Sequence, residues 1–247
     1  MSSNFKLYSK YYNLLYADKD YQSESFYIKK LLQAYFPNGK SILEFGSGTG
    51  VHGLKLVSEG YDVFGLERSE SMVAEATSKG FLCQVADISN FNLNRKFDGI
   101  ISLFHVISYL TENNNLLNCF RNAYSHLNAE GVFIFDIWYS PAVYHLKAVP
   151  RIKRMKDNDT SVIRFADPVI NVNSNVVDVK FTVLAKDIHT NVMEEFTESH
   201  PMRHFSFPEI ALLAECTGFK ILKAEEFLSG KDPSENSWGV CFVLKKK

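Results

Sequence analysis

The segment that most constrains this chain is SILEFGSGTGVHG, residues 41–53. An apolar run that ends in glutamate leads into a turn with four glycines in eight residues. A strand, a glycine-rich turn and a helix form a typical site for a nucleotide-bearing ligand, because glycine lets the backbone approach the ligand closely. Gly48, Gly50 and Gly53 fit the spacing G-x-G-x-x-G, while Gly46 with the first two fits G-x-G-x-G. The spacing alone therefore leaves the ligand open.

Strand-like and helix-like segments alternate around this turn. A helical pattern covers residues 24–36. Predicted strands cover 41–45, 61–67, 81–87, 97–104 and 132–138, and predicted helices cover 51–60, 69–80 and 113–128. Such alternation indicates βαβ units and a mostly parallel sheet, and near-continuous apolar strands fit a sheet that is covered on both faces.

The pattern changes after Pro150. Residues 176–184 alternate apolar and polar side chains with period two, which indicates antiparallel strands. Ser206 and Glu209 have the spacing of a capping box, so we expect a helix to begin there and two strands to close the chain. The predicted organisation is a core at 1–149, an antiparallel β insertion at 150–205, and a helix and two strands at 206–247 that complete the core sheet.

The composition argues against several classes of function. The formal net charge is −1, which provides no broad field to attract nucleic acid or an anionic membrane. No apolar run reaches the ~18 residues needed to span a bilayer, and the N-terminal residues lack the apolar core of a signal peptide. Cysteines at 83, 119, 216 and 241 are scattered without ligand spacing, so we expect free thiols, no metal site and a reducing cytoplasm.

Acidic residues at the ends of three successive predicted strands point to the kind of ligand. Glu44 lies two residues before Gly46, where its charge would repel the pyrophosphate of a dinucleotide by about 1–4 kcal/mol at ~4 Å. S-adenosylmethionine (SAM) instead carries a sulfonium and an ammonium group, which a carboxylate attracts. Glu67 suits the ribose hydroxyls of either ligand, and Asp87 lies at the rim where an adenine amino group would bind. The alternative is that each acid caps the helix that follows it.

Four segments, taken in order, resemble the motifs of class I SAM-dependent methyltransferases. They are LEFGSGTG (43–50), GLERSESM (65–72), VADISNF (85–91) and FDGIISLFHVISYL (97–110). The resemblance implies SAM as the cofactor and an α/β fold, a Rossmann-like sheet of seven mostly parallel strands with an antiparallel β insertion after the fifth. It implies that Glu44, Gly46, Ser47, Gly48 and Gly50 hold the methionine part, Glu67 the ribose, Arg68, Met72, Asp87 and Ile88 the adenine, and Leu103 and Phe104 the other side of the cofactor.

Weaker matches along the whole chain are similar to the N,N-dimethyltransferases that act on dTDP-linked amino sugars. The family motif Y-D-L…Y…K-D-Y corresponds to residues 12–21, F-S-S…[HY]-L to 104–110, E-P-W-W-F-P to 136–141, and E-S-H to 198–200. The late P-S-G-R-G motif is replaced by PSENSWG (233–239), which lacks the arginine that commonly binds phosphate. The handle for a nucleotide diphosphate is therefore unassigned, with Arg151, Arg154 and Arg203 as candidates.

The acceptor side of the predicted site is drawn from several regions. The candidates for orienting the acceptor or taking its proton are His105, Tyr109 and His200, each of which is also compatible with a packing role. Trp138 and Tyr139 are expected to wall the acceptor, Tyr16, Tyr21 and Arg203 to contact it, and Tyr12 to close over SAM as part of an N-terminal lid. Since the sulfonium is a good leaving group, alignment supplies most of the rate. A strong base is optional for an amine acceptor, whereas an alcohol needs one.

We interpret the chain as a cytoplasmic SAM-dependent methyltransferase that modifies a small molecule, with the amino group of a nucleotide-linked sugar as the favoured acceptor and the insertion as its cover. The alternatives are a small-molecule O- or N-methyltransferase with no sugar-nucleotide substrate, a non-catalytic SAM-binding protein, and a dehydrogenase. We expect no nucleic acid, membrane or metal partner. A homodimer is compatible with the sequence, which does not determine the oligomeric state.

Overall fold

The computed structural model describes residues 8–247, whose contacts define two compact units. The larger unit consists of Asp20–Leu146 and His204–Lys247, and the smaller of Lys147–Arg203 with residues 8–19. In chain order the elements are α1 (Tyr8–Leu15), α2 (Tyr21–Tyr35), β1 (Ser41–Phe45), α3 (Val51–Ser58), β2 (Asp62–Glu67), α4 (Glu70–Ser78), β3 (Cys83–Val85), β4 (Phe97–Ser102), a 3₁₀ turn (Val106–Tyr109), α5 (Asn113–His126), β5 (Leu127–Tyr139), α6 (Ser140–Leu146), β6 (Arg151–Lys156), β7 (Thr160–Asn171), β8 (Val176–Asp187), β9 (Met193–Phe205), α7 (Phe207–Cys216), β10 (Phe219–Glu226) and β11 (Gly239–Lys246).

The larger unit is an α/β core built on seven strands in the order β3-β2-β1-β4-β5-β11-β10. Strands β1 to β5 run parallel to their neighbours, whereas β11 is antiparallel to both β5 and β10. His204 and Phe205, the last two residues of β9, pair in parallel with Trp138 and Tyr139 at the end of β5. This arrangement confirms the predicted fold class, with parallel βαβ units and a closing antiparallel pair.

Two apolar layers cover the faces of this sheet. Strand β5 shows the alternation: Val132 and Ile134 pack into the cluster that includes residues of α2 and α3, and Phe133 and Phe135 into the cluster that includes residues of α5 and α7. Both faces of the strand are therefore buried. This explains why the strands read as continuous apolar runs instead of alternating ones.

Most predicted elements of the core lie where the sequence patterns place them, with shifts at their ends. Strand β1 coincides with its prediction, and α7 begins with the predicted capping box between Ser206 and Glu209. Strand β3 is shorter than predicted, because the chain turns after it and Asp87 bridges Asn90. Strand β5 begins earlier than predicted, because Leu127 pairs with β4 ahead of a shift in register.

The smaller unit is an antiparallel sheet in the order β6-β7-β8-β9. Helix α1 packs on it through Leu15 and through Tyr11, whose ring stacks on Phe196 at 6.0 Å between centroids. The predicted antiparallel insertion is thus present after β5. Residues 8–19 group with this insertion by their contacts, whereas the sequence interpretation assigned them to the core. The lid function of this segment and the covering function of the insertion stay predictions.

Two further properties follow from the described residues. Between residues 8 and 247, none of the helices combines the length and the apolar character that crossing a lipid bilayer requires. Within the same range, no three His, Cys, Asp or Glu side chains converge in a way that could hold a metal ion.

Candidate active site

The glycine turn after β1 has a backbone shape that explains its spacing. Gly46, Gly48 and Gly50 have φ angles of 66°, 54° and 77°, while Gly53 lies inside α3. Residues with a Cβ atom rarely adopt such angles, so the structural spacing is G-x-G-x-G. The N–H groups of Gly46 and Ser47 both donate to the carbonyl of Leu66, at 2.8 and 3.1 Å, which ties the turn to β2.

One side of this turn is packed and the other is open. A Cβ atom on Gly46 would lie only 2.5–2.6 Å from the two methyl carbons of Val106, so the turn after β1 is in close contact with the loop after β4. A Cβ atom on Gly48 would meet nothing within 4 Å. The backbone around Gly48 is therefore the part of the turn that a ligand can approach.

Glu44 is buried beneath the turn instead of lying at its mouth. The residue is 2% exposed, and its Oε2 has no hydrogen-bond partner. Burial, and secondly the charge of Glu67, raise the pKa of Glu44 to about 8, while a hydrogen bond from the N–H of Gly53 acts in the opposite direction. Without a cation beside it, the carboxyl group is therefore mostly protonated at pH 7, whereas the sequence predicted a permanent charge at this turn.

Glu67 connects the turn to the next helix. One carboxylate oxygen accepts from the N–H of Gly48 at 3.0 Å, and the other accepts from the N–H of Ser69 at 2.8 Å. Ser69 is also the N-cap of α4. These contacts hold the carboxylate at the carboxyl end of β2, and each oxygen has further acceptor capacity.

The predicted adenine residues lie on the loops after β2 and β3. Arg68 is exposed, and Met72 is buried on α4. Oδ1 of Asp87 accepts from both the N–H and the hydroxyl of Ser89, at 2.8 and 2.7 Å. Ile88 is 8% exposed and belongs to the apolar core.

The loop after β4 carries an interaction that the sequence interpretation missed. Phe104 and His105 both have positive φ angles, 64° and 61°, which are costly for bulky residues. Nδ1 of His105 lies 2.6 Å from Oδ2 of Asp136, a residue that is 1% exposed at the end of β5. An acid within the otherwise apolar run VFIFDIW was the available signal for Asp136.

Aromatic side chains surround this pair. The ring of Trp138 contacts those of His105 and Trp238, at centroid distances of 6.1 and 5.5 Å. Tyr139, its predicted companion, packs against the core, and its N–H donates to the carbonyl of Trp238 at 3.0 Å. The sequence interpretation named the segment around Trp238 for its missing arginine and overlooked this ring.

The remaining predicted residues of the larger unit are spread around the same edge of the sheet. Tyr109 ends the 3₁₀ turn, which the hydroxyl of Ser108 connects to β5 by accepting from the N–H of Trp138 at 3.4 Å. Leu103 is 3% exposed and packs in the core. Tyr21 begins α2 and lies edge-on to His52, at 4.9 Å between ring centroids.

The smaller unit holds the other predicted acceptor residues. The guanidinium of Arg164 lies over the rings of Tyr16 and Phe181, at 5.7 and 4.7 Å, and Tyr12 packs on Tyr16 at 4.7 Å. His200 is 2% exposed and its ring contacts Phe181 at 4.9 Å. Burial is the main cause that lowers the pKa of His200, partly opposed by Glu198.

His200 and Arg203 do not belong to one face of the smaller sheet. They lie three residues apart on β9, whose pairing with β8 runs without a register shift from Met193 to Arg203. Because side chains alternate along a strand, the two point to opposite faces. The sequence interpretation placed both in the acceptor site, and this sheet can present only one of them to a given ligand.

The larger unit offers features that suit SAM. Glu44 supplies a buried carboxyl oxygen without a partner, Gly48 supplies approachable backbone, and Glu67 supplies a fixed acceptor for hydroxyl groups. A carboxyl group that regains its charge beside a cation fits an ammonium or sulfonium ligand and disfavours a pyrophosphate. The residues present are thus compatible with the cofactor.

Comparisons with known proteins agree with this geometry. Residues 42–131 match a family described as a methyltransferase domain. A relative from Streptomyces venezuelae, dTDP-3-amino-3,4,6-trideoxy-alpha-D-glucopyranose N,N-dimethyltransferase, is 27% identical over 223 residues, 89% of this chain and 91% of the relative. A putative methyltransferase from Geobacillus sp. (strain WCH70) is 26% identical over 250 residues, 98% of this chain and 99% of the relative. The solved structure of a sugar N-methyltransferase from Streptoalloteichus sp ATCC 53650 has a TM-score of 0.85 at 22% identity, covering 100% of this chain and 95% of that one.

Residues 42–131 thus form a methyltransferase domain, and the matches show an enzyme that is a SAM-dependent methyltransferase. Its fold is that of the class I methyltransferases. The predicted enzyme class and cofactor are confirmed. Within that class the chain resembles the dTDP-amino-sugar N,N-dimethyltransferases, as its motifs indicate. The solved sugar N-methyltransferase, at 22% identity, supports the fold alone.

Proposed function

We propose that this methyltransferase transfers a methyl group from SAM to the amino group of a nucleotide-linked amino sugar. The observation that carries the proposal is the extent of the likeness to the Streptomyces venezuelae enzyme, whose name specifies N,N-dimethylation of a dTDP-linked amino sugar. That likeness covers 89% of the chain, whereas the methyltransferase domain match ends at residue 131. The similarity thus extends well beyond the part of the chain that would hold the cofactor.

The residues proposed to hold SAM are those of the carboxyl ends of β1 to β4. Glu44, Gly46, Ser47, Gly48 and Gly50 hold the methionine part, Glu67 the ribose, Arg68, Met72, Asp87 and Ile88 the adenine, and Leu103 and Phe104 the remaining side. The carboxylate of Glu67 is already oriented for binding the ribose hydroxyls, because the backbone N–H groups of Gly48 and Ser69 hold it in place. When bound, SAM supplies an electrophilic methyl group on a sulfonium that is already a good leaving group.

The acceptor residues proposed for the larger unit are His105, Tyr109, Trp138 and Tyr21. An acceptor amine reacts through its neutral form, and a partly apolar surrounding favours that form. Aromatic rings at Trp138 and its neighbour Trp238 supply such a surrounding. Holding the amine in line is expected to give most of the rate.

The predicted residues of the smaller unit remain part of the proposal. Tyr16 and Tyr12 are assigned to the acceptor and cofactor by the motif resemblance. Either His200 as a polar contact or Arg203 as an anion handle joins them, because the two lie on opposite faces of β9. Arg164 is a further candidate for that handle, because it carries a guanidinium beside Tyr16.

One observation favours a second candidate, an amine acceptor with no nucleotide. The amino-sugar N,N-dimethyltransferases that the chain resembles have an arginine in their late P-S-G-R-G motif. The corresponding segment PSENSWG contains an acid and a tryptophan but no arginine. Arginine is well suited to bidentate binding of phosphate, so its loss weakens the expectation of a diphosphate handle.

A substrate panel tests the proposal and separates the two candidates. Purified protein and SAM are incubated with dTDP-linked 3-amino and 4-amino sugars, the same amino sugars without nucleotide, simple amines, and a dTDP-sugar with a hydroxyl in place of the amine. The proposal expects methylated product, read by mass, with the highest kcat/KM for a nucleotide-linked amino sugar. Higher kcat/KM for the free amino sugars supports the second candidate, and methylation of the hydroxyl sugar alone contradicts both.

A further inference from the structure

Asp136 makes several contacts with one residue of the neighbouring loop. Its Oδ2 lies 2.6 Å from Nδ1 of His105, and both carboxylate oxygens lie 3.2 Å from the backbone N of His105, whose N–H donates to them. The two residues are far apart in sequence. They meet because β4 and β5 are parallel neighbours whose carboxyl ends reach the same edge of the sheet.

The same contacts hold a costly backbone conformation. Phe104 and His105 are consecutive residues in the left-handed region, which bulky residues seldom adopt. A bulky residue keeps such a conformation only where its surroundings enforce it, and such residues cluster at functional sites. The carboxylate of Asp136 supplies that enforcement through the N–H of His105.

The geometry also determines which ring nitrogen of His105 carries the proton. Nδ1 and Oδ2 of Asp136 lie 2.6 Å apart, although they are not aligned as a hydrogen bond. A lone pair on Nδ1 would repel the carboxylate oxygen at this distance, so the proton of the neutral ring lies on Nδ1 and Nε2 keeps its lone pair. Nδ1 is buried, whereas 20% of the side chain is exposed. The exposed part therefore belongs to the rest of the side chain, which includes Nε2.

We propose that Asp136 is a positioning residue that holds His105 in the tautomer with an unprotonated Nε2 directed at the acceptor amine. This inference rests on the proposed function in requiring an amine acceptor. The acceptor arrives as an ammonium ion and gives one proton to Nε2, which leaves a lone pair on its nitrogen for methylation. The imidazolium of His105 then returns this proton to water, so the ring is neutral again before the next turnover.

Trp138 and Gly239 support the position of the ring. Trp138 contacts one side of the imidazole, and a Cβ atom on Gly239 would come within 3.5 Å of Cε1 of His105. A Cβ atom at position 239 would thus be in ordinary van der Waals contact with the ring edge between the two nitrogens. The imidazole is thus held by a carboxylate at Nδ1 and by neighbours on β5 and β11.

The tautomer can be measured without any substrate. Nitrogen-15 NMR of histidine-labelled protein distinguishes Nδ1–H from Nε2–H, and the signal of His105 is assigned by its loss in His105→Asn. We expect the Nδ1–H tautomer in the unmodified protein and a substantial Nε2–H population in Asp136→Asn, because an amide can donate to Nδ1. The control is Asp98→Asn, which removes a carboxylate that accepts from two backbone N–H groups elsewhere. This control should leave the tautomer unchanged.

Activity then separates positioning from simple support of the fold. Asp136→Asn should lower kcat about 100-fold, with the KM for the acceptor and the Kd for SAM within about threefold of the unmodified protein. His105→Asn should cost about as much, and the double variant should cost no more than His105→Asn alone. Asp136→Glu, which restores a carboxylate, should recover part of kcat.

Several results would overturn the inference. A dominant Nε2–H tautomer in the unmodified protein would overturn it. This test needs no variant of Asp136, so it can be made even if Asp136→Asn does not fold. Additive losses in the double variant, or an unchanged kcat in Asp136→Asn, would also do so. Failure of the proposed function is a separate outcome, in which the unmodified protein methylates no amine in the substrate panel.

Discussion

Glutamine at position 44 removes one ionisable group while keeping the shape of the side chain. Glu44 is 2% exposed, and its pKa is raised from 4.5 to about 8, first by burial and then by the charge of Glu67. At pH 7 the carboxyl group is therefore about nine-tenths protonated in the folded chain. Glu44→Gln should have two measurable consequences, one for stability and one for cofactor binding.

The stability of the unmodified protein should fall as the pH rises from about 4.5 to 8. The folded chain retains this proton in that window while the unfolded chain releases it, so the free energy of unfolding falls by up to about 1.4 kcal/mol per pH unit. The contribution is fully present below about pH 4.5, and the total loss approaches about 5 kcal/mol by pH 8. Glu44→Gln should lack this loss. Urea unfolding at pH 5, 7 and 8.5 measures the difference.

Binding of SAM should draw the proton off Glu44. A charge-assisted hydrogen bond contributes about 1.5–3 kcal/mol, from which ionisation at pH 7 subtracts about 1.4 kcal/mol. The Kd of Glu44→Gln should therefore exceed that of the unmodified protein by up to about 15-fold at pH 7 and by about 10- to 100-fold near pH 8.5.

Titration calorimetry in two buffers of different ionisation enthalpy measures the protons released on binding. The unmodified protein should release almost one more proton than Glu44→Gln at pH 7, and the variant serves as the control for protons that belong to the ligand itself. Equal proton release and equal affinity in the two proteins would refute the reasoning, because Glu44 would then face no cation.

Three further predictions concern other parts of the fold. Gly46→Ala should lower the free energy of unfolding by about 2–4 kcal/mol, since it adds a clash to the strain of a positive φ, whereas Gly48→Ala should cost about 1–2 kcal/mol for strain alone; urea denaturation compares them. Glu24→Ala should cost about 1–3 kcal/mol, because it removes the carboxylate that lies 2.7 Å from Nε2 of the buried His52, and an apolar replacement of both residues should cost less in the same assay. In the native protein Cys216, which is exposed, should react with a maleimide ahead of the other cysteines, as read by mass.

Each of these predictions has a result that would contradict it. Equal losses for the two glycine variants would mean that the contact with Val106 is unimportant. A double replacement as costly as Glu24→Ala would show that packing, and not the hydrogen bond lost by a buried polar group, sets the loss. Rapid labelling of Cys119 or Cys241, both buried, would require opening of the core.

The sequence by itself determined the class of fold and the outline of the cofactor site. Strand and helix patterns depend on neighbours within a few residues, so β1, the capping box at Ser206 and the closing pair of strands could be predicted. The glycine turn was predictable for the same reason, because its φ angles are a property of the local backbone. The sequence also predicted that the acids at the strand ends lie at one edge of the sheet, because the carboxyl ends of parallel strands meet there.

Tertiary structure alone decided the chemistry of individual side chains. Glu44 was visible as a charge, but its burial and its raised pKa depend on α3 and β2 packing around it. Asp136 looked like one polar residue in an apolar strand until the loop after β4 brought His105 to it. His200 and Arg203 shared a motif-like segment, yet the unbroken register of β9 sends them to opposite faces. Contacts between residues distant in sequence set the first two, and no local pattern encodes them. The third follows from the alternation of side chains along a strand, once the structure shows that β9 has no register shift before Arg203.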